Sequence, residues 1–224
     1  MAVFKRTIFP SALTLKKAMV ECLEQTLKGE GTSPFAVMLS GGQTPLDIYK
    51  MLMKSGGKAS EEAHILYSDE RDVPSSSEEN NYHHTVELLN HLCIPASRVM
   101  RVHTGQPIEM AASQYHHELH RFIDRGGRIT LGLLGIGTDG HTASLFSSAD
   151  LERGLGHYAV AIPHEPKPDR ISVTPKLLAR VERLIILAIG PEKHGIVTKL
   201  LAQPEGVVAG LALTDAANVE IWQS

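Results

Sequence analysis

The sequence predicts an α/β fold, a mostly parallel sheet with helices on both faces. Three observations carry this. Short runs of consecutive apolar residues recur along the chain, as strands covered on both faces require. The stretches between them repeat apolar residues at helical spacing. Glycine and ionisable residues gather directly after the apolar runs, where open parallel sheets hold their ligands.

Taken in order, Leu15, Met19, Cys22, Leu23 and Leu27 mark a first helix, and "PFAVMLS" (34–40) reads as the strand after it. "SGGQTP" follows, with Pro45 at a plausible first helical position, and Leu46, Tyr49, Leu52 and Met53 continue as a helix. "HILYS" (64–68) is the next strand, followed by the charged "DERDVP". "RITLGLLG" (128–135) leads into "GTDGHTASLF", and "HYAVAI" (157–162) reads as a further strand. "RLIILAIG" (183–190) ends in "GPEKHG", and Ile196, Val197, Leu200 and Leu201 mark the helix beyond. "SSSEEN" (75–80) and "PHEPKPD" (163–169) are loops too short to divide the chain, which reads as one domain over 1–224.

Composition narrows the function. Apolar residues at 42% and charged residues at 21% are ordinary for a globular domain, and 22 Lys+Arg against 25 Asp+Glu leave a formal charge of −3. Such a balance offers no basic surface for nucleic acid, though a small phosphorylated metabolite needs only local cations. No apolar run is long enough for a signal peptide or a membrane span, so a cytoplasmic protein without membrane partners is expected. Cys22 and Cys93 fit no metal or CxxC spacing and are expected to be reduced thiols.

Four motifs carry chemistry. Gly41 and Gly42 leave backbone N–H groups free at a helix start, and with Thr44 they form a candidate anion loop. No lysine follows as in an ATP-type P-loop. Asp69, Glu70, Arg71 and Asp72 stand at a strand end, where Arg71 could take a phosphate or carboxylate in a bidentate contact. Gly135, Gly137 and Gly140 match G-x-G-x-x-G, the dinucleotide fingerprint. Its ribose-binding acid is missing, however: position 160 is Val and the nearest later acid is Glu165. The alternative is a catalytic turn. His141 at a helix start would be held neutral by the dipole, as a general base needs, while Asp139 opposes that or fixes the ring's tautomer. His116 and His120 stand at i and i+4, but with no third ligand evident they read as a solvated helix face. Arg170 and Lys193 lie near element ends and alone are ordinary surface cations.

These motifs in this order ("LSGGQTP", "SDERDVP", "NNY", "GIGTDGHTASLF", "RISVT" and "GPEK") resemble the 6-phosphogluconolactonases, within the larger group that includes glucosamine-6-phosphate deaminases. The resemblance spans roughly residues 10–202. It implies a modified Rossmann-like fold and cofactor-free, metal-free hydrolysis of a phosphosugar lactone, 6-phosphoglucono-δ-lactone, in the oxidative pentose phosphate pathway. It further implies His141 as base with Asp139 its neighbour, and Gly41, Gly42 and Thr44 on the phosphate side. Arg71, Arg170 and Lys193 become the cations around substrate, and Asp69 a polar wall; a monomer or small homo-oligomer is expected. The deaminase turn reads DGHIAFNEP, and its glutamate falls at Phe146; its MDEY falls at "SDER". Both differences favour the lactonase over a deaminase-like isomerase. The other alternative is a non-catalytic phosphosugar-sensing domain, but no helix-turn-helix is visible and a sensor does not need "DGH". Ser147, Asn80 and the ending "NVEIWQS" depart from the family pattern.

Overall fold

The computed structural model describes residues 3–29 and 31–224. The chain opens with β1 (Phe4–Ile8) and α1 (Ala12–Lys28). Ser11 caps α1, its hydroxyl accepting from the Thr14 N–H while the Thr14 side chain returns a contact to the Ser11 backbone. Then come β2 (Phe35–Leu39), α2 (Gln43–Leu52), β3 (Ala63–Tyr67) and the three-residue β4 (Asp69–Arg71). Helices α3 (Val86–His91) and α4 (Ile108–Asp124) lead to β5 (Arg128–Gly135) and α5 (Ser148–Arg153). After β6 (Ala159–Ile162), β7 (Arg170–Val173) and α6 (Pro175–Leu178), the chain ends through β8 (Leu184–Ala188), α7 (His194–Ala202), α8 (Val208–Ala212) and β9 (Val219–Gln223).

Six strands form one parallel sheet in the order β1-β9-β8-β5-β2-β3. Strand alternation gives it two apolar faces. Ala36 and Met38 of β2 enter a core shared with Leu119 of α4, Val197 of α7 and Ala209 of α8. Phe35, Val37 and Leu39 enter a second core with Leu23 of α1, Ile48 of α2 and Leu88 of α3. Helices therefore cover both faces, as the consecutive apolar runs require. The runs at 34–40, 64–68, 128–135 and 183–190 are β2, β3, β5 and β8 of this sheet.

The segment 157–162 differs in its partners. It contains β6, which belongs to a separate antiparallel sheet ordered β4-β7-β6. Ser68 joins the two sheets: its N–H donates to the Leu39 carbonyl at 2.8 Å, and its own carbonyl accepts from Val173 N–H at 2.9 Å. Thus β4 peels from the carboxyl end of β3 and carries "DER" over the top of the parallel sheet. Cys22 is buried, Cys93 is exposed, and the two are not bonded.

Two departures from the family pattern have local roles. Ser147 caps α5, accepting from the Asp150 N–H at 3.3 Å, and the Asp150 carboxylate returns to the Ser147 N–H at 2.9 Å. Asn80 is buried, and its side-chain oxygen accepts from the His83 N–H at 2.9 Å. Within the ending "NVEIWQS", residues 219–223 form β9 between β1 and β8, an interior strand of the parallel sheet.

Candidate active site

Above the carboxyl ends of β2, β5 and β8 lies a cleft of about 250 Å³, edged by β4. Four segments build most of it, and Asn81 adds a carboxamide from the loop after β4.

The first is the glycine turn after β2. Gly42 adopts φ 97°, a conformation in which a side chain is strained, and no side chain caps α2 behind it. The leading amides of that helix are left for an anion. Gln43 is the first helical residue, so Thr44 and Pro45 are the second and third, not the first. Gly41 is packed so closely that a Cβ there would run into the Asn81 carboxamide.

The second segment is β4. Asp69 and Arg71 line the cleft and Glu70 points away, 1% exposed. The Glu70 carboxylate accepts from the backbone N–H groups of Asn81 (2.7 Å), Arg71 (2.9 Å) and Tyr82 (3.0 Å). Burial pushes its carboxyl up to about 7 against the pull of these three donors. Asp69 accepts hydroxyl hydrogen bonds from Ser68 and Ser144, each at 2.7 Å, so it ties β4 to the turn after β5. Arg71 donates to the Glu79 carbonyl at 2.9 Å. Arg170 pairs directly opposite Arg71 across the antiparallel ladder, which puts both side chains on one face. Burial and then the Arg71 charge lower the Arg170 pKa, while its guanidinium turns onto the Pro168 carbonyl.

The third segment is the turn 136–147. Gly137 leaves space that Asp139 and His141 fill, and Gly140, at φ 94°, packs against Val207 and Ile196. The Gly140 carbonyl accepts from Ala209 N–H at 2.9 Å, anchoring the turn to α8. His141 does not open a helix; the next one, α5, starts at Ser148. The imidazole therefore does not stand at the start of its own helix, and its hydrogen-bonded setting comes from Asp139. Nδ1 lies 2.6 Å from Asp139 Oδ1, which also accepts the His141 backbone N–H at 3.2 Å. For Asp139, burial opposes ionisation, but the His141 N–H and imidazole outweigh it and hold the carboxyl below its usual range. An ionised carboxylate can only accept, so the ring nitrogen facing it, Nδ1, is the one that carries a proton. The Phe146 ring lies 4.8 Å from the imidazole, centroid to centroid.

The fourth segment is the turn after β8, where Gly190 takes φ 107°. Lys193 crosses from it to donate to the Ile136 carbonyl at 2.8 Å, bringing an ammonium to the His141 turn.

His141, Asp69, Arg71, Lys193, Gly41 and Gly42 therefore line one cleft. Asp139 stands behind His141, Arg170 beside Arg71, and Thr44 in the first turn of α2 off the lining. Sequence reasoning missed Ser40 and Asn81, which also line it. The signal for Asn81 was a pair of asparagines before a tyrosine, polar residues that turn out buried. It also missed that Glu70, within the charge run, anchors a loop instead of facing substrate.

His116 departs from the solvated reading. It is half-buried, accepts at Nδ1 from Tyr158 N–H at 2.9 Å, and packs among His117, His120 and His157. Burial and the neighbouring imidazoles depress its pKa to about 4. Among the described residues no three His, Cys, Asp or Glu side chains converge as a metal site. No helix among them is long and apolar enough to cross a membrane.

Fold and cleft together define an α/β protein that offers amides and cations for a small anion beside an oriented imidazole. Residues 11–220 match the family of glucosamine-6-phosphate isomerases/6-phosphogluconolactonase, and the chain belongs to it. Similar proteins include the 6-phosphogluconolactonase of Thermotoga maritima, 34% identical over 74% of each chain. The human 6-phosphogluconolactonase is 30% identical over 89% of this chain and 82% of its own. A crystal structure of the Thermotoga maritima enzyme superposes with a TM-score of 0.79 at 25% identity, covering 100% of both chains.

Proposed function

We propose that this chain hydrolyses 6-phosphoglucono-δ-lactone to 6-phosphogluconate without a metal, with His141 as general base. It is a hydrolase of the 6-phosphogluconolactonase type, a carboxylic ester hydrolase. The Gly41–Gly42 amides and the first turn of α2 receive the phosphate, with Arg71, Arg170 and Lys193 supplying positive charge around the substrate. This fixes the ester carbonyl beside Nε2 of His141. His141 takes a proton from water as the water oxygen bonds to the carbonyl carbon. Backbone amides of the turn or Arg71 stabilise the resulting oxyanion. As the carbonyl re-forms, the bond to the ring oxygen breaks and His141 returns its proton there, giving the open-chain acid. Asp139 holds the ring in the acting tautomer and stabilises the transient imidazolium.

The observation that carries this reading is the 2.6 Å contact between Nδ1 and Asp139, which in the neutral ring leaves Nε2 as the acceptor on a cleft shared with Arg71 and Lys193. At the position of the deaminase glutamate stands Phe146, whose ring is stacked by His164 at 4.4 Å and has no proton to give. The test is acid release from freshly made lactone, corrected for spontaneous hydrolysis. His141→Ala should lower kcat by about 10²–10⁴-fold, the worth of a positioned base, and still bind 6-phosphogluconate. Near-normal turnover would remove His141 from the role, and ammonia release from glucosamine 6-phosphate would reassign the enzyme to the isomerase branch.

A further inference from the structure

Two fully buried tyrosines make the same unusual contact. The Tyr49 hydroxyl accepts from the Ser40 N–H at 3.1 Å and donates to the Ser40 carbonyl at 2.9 Å. The Tyr115 hydroxyl accepts from the Tyr67 N–H at 3.0 Å and donates to the Tyr67 carbonyl at 2.7 Å. Each phenol thus satisfies both polar groups of a single residue where a strand gives out, Ser40 just past β2 and Tyr67 ending β3. Beyond those points lie the glycine turn and β4. Tyr49 and Tyr115 are 2% and 1% exposed, so no water replaces the hydroxyl if it is lost.

We infer that Tyr49 is a positioning residue for the anion loop: its phenol latches Ser40 and so fixes the direction in which the Gly41 and Gly42 amides point. The inference rests on the proposed role of that loop in holding the substrate phosphate. Ser40 itself lines the cleft, and the two glycines after it have no side chains to fix their own course. Tyr49 projects from the helix that the same loop caps, so latch, loop and helix start form a closed unit. Tyr115 applies the same device to Tyr67 at the end of β3, away from the glycine turn, while Arg71 on β4 is held separately by the Glu79 carbonyl and the ladder with β7, so Tyr115 serves as an internal comparison.

The test pairs Tyr49→Phe with Tyr115→Phe, which delete the same atom and the same two hydrogen bonds. Inorganic phosphate is the probe, titrated by calorimetry and as a competitive inhibitor. Tyr49→Phe should weaken phosphate and raise KM by about tenfold, the equivalent of about 1.4 kcal/mol, with kcat within about threefold. Tyr115→Phe should leave phosphate affinity within about twofold while lowering the melting temperature comparably. Unchanged phosphate affinity in Tyr49→Phe, or equal weakening in both variants, would overturn the latch as a positioning device. Amide hydrogen exchange separates this from the functional reading. In the unmodified protein the Ser40 amide should exchange as slowly as the amides of β2, and in Tyr49→Phe the Gly41 and Gly42 amides should exchange faster. Rapid exchange at Ser40 refutes the latch even if Tyr49→Phe does not fold. A slow Ser40 amide in a protein that binds no phosphate refutes instead the role of the loop.

Discussion

Replacing Asp139 with asparagine removes a charge but leaves an acceptor in place, and the structure says which way the amide will face. Asp139 Oδ1 accepts both the His141 backbone N–H at 3.2 Å and the Nδ1 proton. An asparagine that turned its amide nitrogen inward would set a donor against that backbone N–H. The oxygen therefore stays inward, the imidazole keeps its tautomer, and only the attraction between carboxylate and imidazolium is lost. Charge centres about 4 Å apart attract by about 1 kcal/mol in water and about 4 kcal/mol at an intermediate dielectric. The Asp139 side chain is 63% exposed, which puts the loss at about 1–2 kcal/mol. Asp139→Asn should thus lower kcat by about 5- to 30-fold with KM unchanged, measured by corrected lactone hydrolysis. An unchanged kcat would show that the carboxylate does not stabilise the working imidazole. A loss of about 10⁴-fold would show that the tautomer had flipped and that the backbone N–H does not orient the amide.

Other outcomes follow from the same geometry. Glu70→Gln sets an amide donor against one of three converging N–H groups; it should cost about 1–3 kcal/mol and lower the melting temperature by about 3–10 °C by calorimetry. Gly41→Ala should displace the Asn81 carboxamide and raise KM about fivefold, the worth of a hydrogen bond of about 1 kcal/mol; unchanged kinetics would mean the loop yields freely. His116 is held neutral in the fold, with a pKa depressed from 6.5 to about 4. The unfolded chain therefore binds more protons between those values, and the stability this group contributes falls as pH drops from 6.5 towards 4. Denaturant titrations should show the stability advantage of the wild type over His116→Asn growing by about 1–2 kcal/mol as pH is raised from about 4 to 6.5, after discounting for partial exposure. A pH-independent difference would refute it.

The parallel sheet was legible because its interior strands are apolar on both faces, and "FAVML" or "LIILA" can be satisfied only between two layers of helices. The loops at the strand ends were legible for a related reason, since glycines and ionisable residues there break off the apolar runs. By contrast, β1 escaped notice as an edge strand, "FKRTI", with four exposed residues and no apolar run. Strand β4 has three residues, all charged, and no periodicity to read.

The sequence by itself thus determined the layered fold, the sheet's covered faces and the chemical types at its crest: an imidazole, glycine amides and cations. Only the tertiary structure decided their arrangement. It sent β6 and β7 into a second sheet, set Arg170 beside Arg71, turned Glu70 inward onto three amides, and brought Lys193 to the Ile136 carbonyl. It also put His141 in a turn anchored to α8 instead of at a helix start. The physical reason is range. Periodicity records which face of a segment is buried, whereas strand partners, ion positions and hydrogen-bond acceptors are chosen by residues distant in the chain and fixed only when the two sheets close on each other.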